Sequence, residues 1–312
     1  MHFKYKVVGK KKYKYAVKSL RLPDGKVVSL EKLYKKETAT ELEKIFFEQE
    51  VQEHFKYARR QYGTDSIFTE ETLRQIESMK VGFKKIVKRL SPVSARDLWN
   101  RFTANFTYES NALEGNSLTL KDVSMVMFEN ISLRGKDLRE IYETRNSREV
   151  VELIMKNKFS LSEKDILKMH QLLVKDTDVN PGYKQFPNII LGRQMETTPP
   201  ENVPPEMDTL LRWYAQNYGR MHPLKLAAIF HGRFERIHPF EDGNGRVGRF
   251  LINVILIKNR YPPLIIRKSQ RVSYLKSLAN FDSGYSGTLE RFIMEKYKET
   301  YRKFFGIYVK YL

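Results

Sequence analysis

Along most of this chain apolar residues recur at three- and four-residue spacing, the pattern of helices that bury one face. Such runs cover 37–62 and 69–90, and the second opens on Thr69 with Glu70 and Glu71 in its first turn, where acids suit the positive end of a helix. "SPVSARDLWNRFTANFTYESNALEG" continues the pattern and stops at Gly115, a residue suited to the left-handed conformation just past a helix end. Further helices are predicted over 121–129, 136–156 and 162–173, the last capped by Ser160 or Ser162. Others follow over 205–218, 223–237 and 246–258, and through the Tyr- and Phe-rich stretch 271–312. Two segments depart from this period. "YAVKSLRLPDGKVVSLEKL" alternates apolar and polar residues around Pro23-Asp24-Gly25, as a hairpin does, and "NPGYKQFPNIILGRQMETTPP" interrupts the helices with Pro, Gly and a short β-branched strand, as a hairpin or flap does. The expected fold is mainly α, organised as a basic N-terminal hairpin segment (1–36), a helical extension (37–92) and a principal helical domain (93–312).

Composition narrows the chemistry. A chain of 312 residues with 41% hydrophobic content is large enough to bury a core. Its 56 Lys+Arg against 37 Asp+Glu give a formal net charge of +19, which attracts anionic partners without choosing among them. The absence of cysteine excludes disulfides and thiolate metal sites. The longest apolar run, "FLINVILI", falls far short of the ~20 residues of a membrane span, and lysines interrupt every apolar run of "MHFKYKVVGKKKYKYAVK" as they do not in a signal peptide. A cytoplasmic protein with no membrane partner is expected. The lysines and aromatics between Lys4 and Lys18 are compatible with nucleic acid through phosphate contacts and stacking. They equally suit a strand edge that resists pairing, and with no recognised nucleic-acid motif beside them this second reading is preferred.

The chemistry concentrates in "RIHPFEDGNGRVGRF", from Arg236 to Phe250. The helix before it carries Leu224, Ala227, Ala228, His231, Phe234 and His238 along one face, and Pro239 forces a turn at His238. Gly243 and Gly245 then permit close backbone approach at the start of the next helix, where unpaired N–H groups gather into an anion-binding nest. That helix buries Val247, Phe250, Leu251, Val254 and Ile255, which leaves Arg246 and Arg249 near its opening turn, the end where a cation opposes the helix dipole. A phosphate chain offsets both charges, and Asp242 beside it is suited to a Mg²⁺ that bridges phosphates. Neither a zinc site nor a P-loop fits: His231 and His238 are seven apart without H-E-x-x-H, and the G-K-[ST] ending is missing.

From His238 to Arg249 the chain resembles the Fic family (Fic/Doc, the fido fold), whose signature H-x-F-x-[DE]-G-N-G-R-x-x-R is matched at every specified position. The resemblance extends over roughly 94–295 and implies a Fic helical core with a short β-hairpin flap. It implies a protein adenylyltransferase that moves AMP from Mg²⁺-ATP to a Ser, Thr or Tyr hydroxyl. In that reading His238 is the general base and Asp242 holds Mg²⁺. Gly243, Asn244 and Gly245 line the anion hole, Arg246 and Arg249 bind the β- and γ-phosphates, and Phe240 anchors the loop. "SNALEG", Ser110 to Gly115, resembles the family's inhibitory pattern [ST]-x-x-x-E-[GN], lying before the catalytic loop as in class II members. Glu114 is then expected to pair with Arg249 and block the γ-phosphate, and in some members its counterpart also supports removal of AMP. The flap residues Asn188, Ile189, Ile190, Leu191 and Gly192 are expected to dock an extended target segment. Before the flap, "GYKQ" places Lys184 where family members often carry arginine. Partners implied are a protein substrate, the chain itself through auto-modification, and a second copy in a homodimer. Transfer of another phosphate-containing group, or a degenerate Fic scaffold serving nucleic-acid binding or interaction, are the alternatives.

Overall fold

The computed structural model describes residues 1–129, 133–188 and 196–309. The chain divides into two compact units, 1–85 and 86–312.

The first unit begins with three antiparallel strands, β1 (His2–Val8), β2 (Lys11–Arg21) and β3 (Val27–Leu33), in the order β1-β2-β3. The predicted hairpin is β2–β3: Gly25 at φ 85° closes its turn, with its N–H bonded to Leu22 O at 3.0 Å. The basic segment ahead of it is a strand as well, which corrects the expectation of a two-stranded element. Phe3, Tyr5 and Val7 alternate with Lys4 and Lys6, a period of two whose polar half is lysine, and Gly9 at φ 62° makes the reversal into β2. These lysines have local partners, since Lys4 and Lys6 pair with Glu31 across the sheet and Lys12 lies 4.5 Å from the Tyr5 ring. Helix α1 (Ala39–Tyr62) starts at Thr38 with a capping box to Glu41 and lays Leu42, Phe46 and Tyr57 against Ala16, Leu20 and Leu30 of the sheet. Helix α2 (Glu70–Arg89) follows, its first turn bonded to the Thr69 hydroxyl.

The second unit contains no strand among its described residues. Its elements are α3 (Pro92–Leu113), α4 (Leu120–Ser124) running into a π-helical turn (Met125–Glu129), α5 (Leu138–Met155), α6 (Glu163–Leu173), α7 (Val203–Asn217), α8 (Pro223–Ile237), α9 (Asn244–Lys258), α10 (Arg271–Asp282) and α11 (Ser286–Thr300). A second π turn (Tyr301–Phe305) leads to α12 (Gly306–Val309). Ser91 caps α3 with Pro92 at its first position, and Ser162 caps α6. Helices α8 and α9 pack as an antiparallel pair at the centre, with α7, α10 and α11 against α8 and α3, α5 and α6 against α9. The face read for α9 is the core: Val247, Leu251 and Ile255 have no exposed surface. The flap positions Ile189, Ile190, Leu191 and Gly192 lie outside the described residues.

Candidate active site

Three segments distant in sequence meet where α8 gives way to α9. His238 ends α8 in the left-handed conformation (φ 52°, ψ 60°), its N–H still bonded to Phe234 O at 3.0 Å. Pro239 disfavours the right-handed helical conformation for the residue before it, which ends α8 at His238. The turn is then clamped by Asn244, whose side chain accepts from Phe240 N at 2.9 Å and donates to Phe240 O at 2.8 Å. Phe240 is fully buried against the His170 ring, 3.9 Å away and nearly parallel. Burial drives the His170 pKa down to about 4, so the ring is neutral: Nδ1 accepts from Gly182 N, and Nε2 is left to donate to Asp242 O at 3.1 Å. The catalytic-loop candidate is therefore held by side chains that leave its charged members to face one another.

Helix α9 starts at Gly243 (φ 83°), with Asn244, Gly245 and Arg246 as its first turn; main-chain N–H groups there have no partner within the helix. Arg246 and Arg249 are both buried, at 2% and 3% exposure, at this positive helix end. The carboxylates around them balance the charge. Arg246 Nη1 lies 3.0 Å from Glu143 and Nη2 3.5 Å from Asp242. Asp242 also pairs with Arg139, which reaches Glu143 and Asp178 at 3.4 Å. Arg249 donates to Ser110 Oγ at 3.0 Å and Ser110 O at 2.9 Å, and its Nη2 lies 2.7 Å from Glu114 Oε1. Burial disfavours the Arg249 charge, but Glu114, with Tyr274 and Glu235, more than offsets it and raises the pKa.

Glu114 caps the C-terminal end of α3, with Gly115 following at φ 100°. Its carboxylate lies over Gly245, where a Cβ would collide with Glu114 Oε1 and sit 2.9 Å from Arg249 Nη1. Ser110, Glu114, Gly245, Arg249 and the loop from His238 to Arg246 thus form one cluster. Asn188 donates to Phe240 O at 2.9 Å. Lys184 donates to Asn188 Oδ1 at 2.7 Å and Thr197 Oγ1 at 2.9 Å, while its own N–H bonds Pro239 O; burial brings its pKa down to about 8. Beside Ile237 a cleft of 710 Å³ opens between Thr197 and Pro199, Arg233 and Arg236 of α8, and Phe281.

Arg139, Glu143 and His170 were not singled out from the sequence. The four-residue spacing of Arg139 and Glu143 marks one helix face, yet nothing local shows that this face meets Asp242 and Arg246 a hundred residues later.

In its fold, and in the turn where a histidine-ended helix feeds a glycine-opened, arginine-bearing one, the chain is similar to Fic-domain proteins. Residues 160–256 match the model of the Fic/DOC family. The protein adenylyltransferase Fic of Drosophila melanogaster is 29% identical over 198 residues, 62% of this chain and 40% of that protein. The chain therefore spans about two fifths of the length of the curated relatives it matches. A Fic domain containing signaling protein from Bacteroides thetaiotaomicron has a similar crystal structure, with a TM-score of 0.68, 26% identity, and coverage of 76% of this chain and 96% of the other. A Fic family protein from Desulfovibrio desulfuricans aligns with a TM-score of 0.61 and 28% identity over 75% of this chain and 74% of its own. No helix among the described residues is long and apolar enough to cross a membrane.

Proposed function

We propose that this protein transfers AMP from ATP to a Ser, Thr or Tyr hydroxyl of a protein, itself included, and that Glu114 restrains the reaction. The observation that carries the reading is the burial of two guanidiniums at the N-terminus of α9 beside His238. Cations at that end oppose the helix dipole, and a triphosphate supplies the negative charge that both the dipole and the arginines favour. His238 takes the proton of the acceptor hydroxyl; the oxygen attacks the α-phosphorus, the bond to the bridging oxygen of the β-phosphate breaks, and pyrophosphate leaves. The first-turn N–H groups of Asn244, Gly245 and Arg246 receive phosphate oxygens, Arg246 binds the β-phosphate and Arg249 the γ-phosphate. The Asn244 side chain, committed to Phe240, shapes this cradle and leaves phosphate binding to the main chain.

Asp242 fits as a Mg²⁺ ligand. Its half-exposed carboxylate is held near Arg139 and Arg246, and among the described residues no group of three or more His, Asp or Glu stands ready to bind a metal by itself. A site with one carboxylate suits Mg²⁺, which draws its other ligands from phosphate and water and neutralises phosphate charge when bound. The flap, tied at Asn188 to the loop carbonyl of Phe240, adds an extended target segment by main-chain pairing and brings its hydroxyl to His238. The neighbouring cleft, walled by Ile237 and Phe281, takes the nucleobase. With Glu114 on Arg249, ATP cannot place its γ-phosphate on that guanidinium, which is the restraint.

The test is incubation of parent, Glu114→Gly and Glu114→Gly/His238→Ala proteins with ATP labelled at the α- or γ-phosphate. Label entering protein from the α position alone, stronger in Glu114→Gly and absent once His238 is replaced, is the expected result. Label from γ alone identifies a kinase-like reaction, and equal weak labelling in parent and Glu114→Gly removes the restraint from the account.

A further inference from the structure

We infer that Glu235, which lies outside the signature, is the positioning residue of His238 and decides which imidazole nitrogen is offered to the acceptor hydroxyl. This rests on His238 acting as the base in the function proposed above. Glu235 stands one turn before His238 on α8, and its Oε2 lies 3.9 Å from His238 Nδ1. Its side chain is almost wholly buried, and a carboxylate taken from water needs a prepared seat. That seat is visible on α9. A Cβ on Gly248 would fall 2.7 Å from Glu235 Oε1 and 2.8 Å from His231 Cε1 and Nδ1. The bare backbone at 248 therefore admits both side chains where any other residue would expel them. Glycine inside a helix costs about 1 kcal/mol relative to alanine, and the family signature leaves this position open, so room for Glu235 and His231 is its evident use.

The rest of the seat is polar. His231, fully buried, places Nε2 2.7 Å from the Tyr274 hydroxyl on α10, the two rings stacking at 5.8 Å. Burial and then the Glu235 charge raise the Tyr274 pKa, keeping the phenol protonated as a donor. Arg249, whose charge Glu235 helps to favour, completes the surroundings. The other ionisable groups near the turn face their own partners: Asp242 meets Arg139 and Arg246, and Glu114 meets Arg249. At 3.9 Å the carboxylate is beyond hydrogen-bond distance and acts on the ring through its charge, which favours the proton at Nδ1 and leaves the Nε2 lone pair for the incoming hydroxyl.

The test compares the Glu114→Ala protein with the same protein carrying Glu235→Met or Gly248→Ala. The second variant leaves Glu235 in place but fills its seat, so either serves if the other fails to fold. ¹⁵N NMR of the imidazoles, with His238 signals identified by their loss in His238→Ala, reports the tautomer without any turnover. The expected result is the Nδ1–H tautomer in the parent and a shift toward Nε2–H in each variant. Where α-labelled ATP is consumed, kcat falls roughly tenfold to hundredfold at unchanged KM for ATP, since orientation of the base and not nucleotide binding is lost. An Nε2–H tautomer in the parent, or an unaltered tautomer in a folded variant, overturns the inference. A parent that keeps the Nδ1–H tautomer but transfers no AMP overturns the function while leaving the role of Glu235 standing.

Discussion

Removing the Glu114 carboxylate should weaken the empty protein and strengthen its response to ATP, and the two effects should appear together. In the structure Arg249 is 3% exposed, donates to Ser110 Oγ and Ser110 O, lies 2.7 Å from Glu114 Oε1 and also interacts with the Tyr274 hydroxyl. Deleting one partner of a buried ion pair costs on the order of 3–5 kcal/mol when nothing else compensates. Here the Glu114 side chain is 43% exposed and both Ser110 bonds survive, so the loss is nearer that of one charged hydrogen bond, about 1.5–3 kcal/mol. For a unit of this size a loss of about 2 kcal/mol lowers Tm by roughly 4–8 °C. Alanine suits the residue, whose backbone at φ −90° and ψ 4° needs no glycine. Saturating Mg²⁺-ATP then supplies the missing anion, returning about 2.7 kcal/mol at a hundred times Kd. Differential scanning fluorimetry of parent and Glu114→Ala with and without Mg²⁺-ATP reads both. A Glu114→Ala protein that melts with the parent, or whose nucleotide-induced rise is no larger than the parent's, refutes the pairing of Arg249 with Glu114 as a restraint.

Gly245→Ala should break the same ion pair, because its new methyl would occupy the position of Glu114 Oε1; the stability losses of Gly245→Ala and Glu114→Ala should be clearly less than additive in a double-mutant cycle measured by urea unfolding. Asn244→Ala removes both bonds to the Phe240 main chain and leaves that buried N–H without its acceptor, so a destabilisation of about 1–3 kcal/mol is expected together with loss of nucleotide transfer; unchanged stability would contradict the clamp. His54 in the first unit is held neutral by burial, reinforced by the Lys80 charge, with its pKa lowered from 6.5 to about 4. Because the unfolded chain binds the proton first, the stability this gives is complete above pH 6.5 and fades as pH falls toward 4, a change of about 3 kcal/mol. Unfolding of parent and His54→Leu between pH 7 and 4 should show a steeper loss in the parent, the remaining slope of the variant coming from groups such as His170, whose pKa burial also lowers to about 4.

Much of the helical architecture was legible because its signals are local. Ser162 caps α6, Gly115 ends the α3 turn at positive φ, and the face read from Val247 to Ile255 is the core of α9. The loop from His238 to Arg249 was legible for the same reason, since the Pro, the glycines and the arginines that form it are neighbours in the chain. The segment of β1 was read as a lysine-rich strand edge, but its pairing with β2 was not, because lysine at its polar positions resembles a solvated charged run. The supports of the site were hidden by distance. Arg139 and Glu143 on α5, His170 on α6 and the Glu235 seat on Gly248 depend on which helix faces meet, and single-sequence periodicity shows a face without naming its partner. Lys184 is a further case: the sequence marked it as a replacement for arginine, whereas the structure has it joining Asn188 and Thr197.

The central claim is that the turn between α8 and α9 receives a triphosphate once Glu114 withdraws from Arg249. Its most direct measurement is a crystal structure of Glu114→Gly protein with Mg²⁺ and a non-hydrolysable ATP analogue. The account predicts the γ-phosphate on the Arg249 guanidinium where the carboxylate had been, with the α- and β-phosphates against the first-turn amides of α9 and His238 facing the α-phosphorus. Nucleotide bound elsewhere, or Arg249 still committed to Ser110 alone while the phosphates point to solvent, would contradict it.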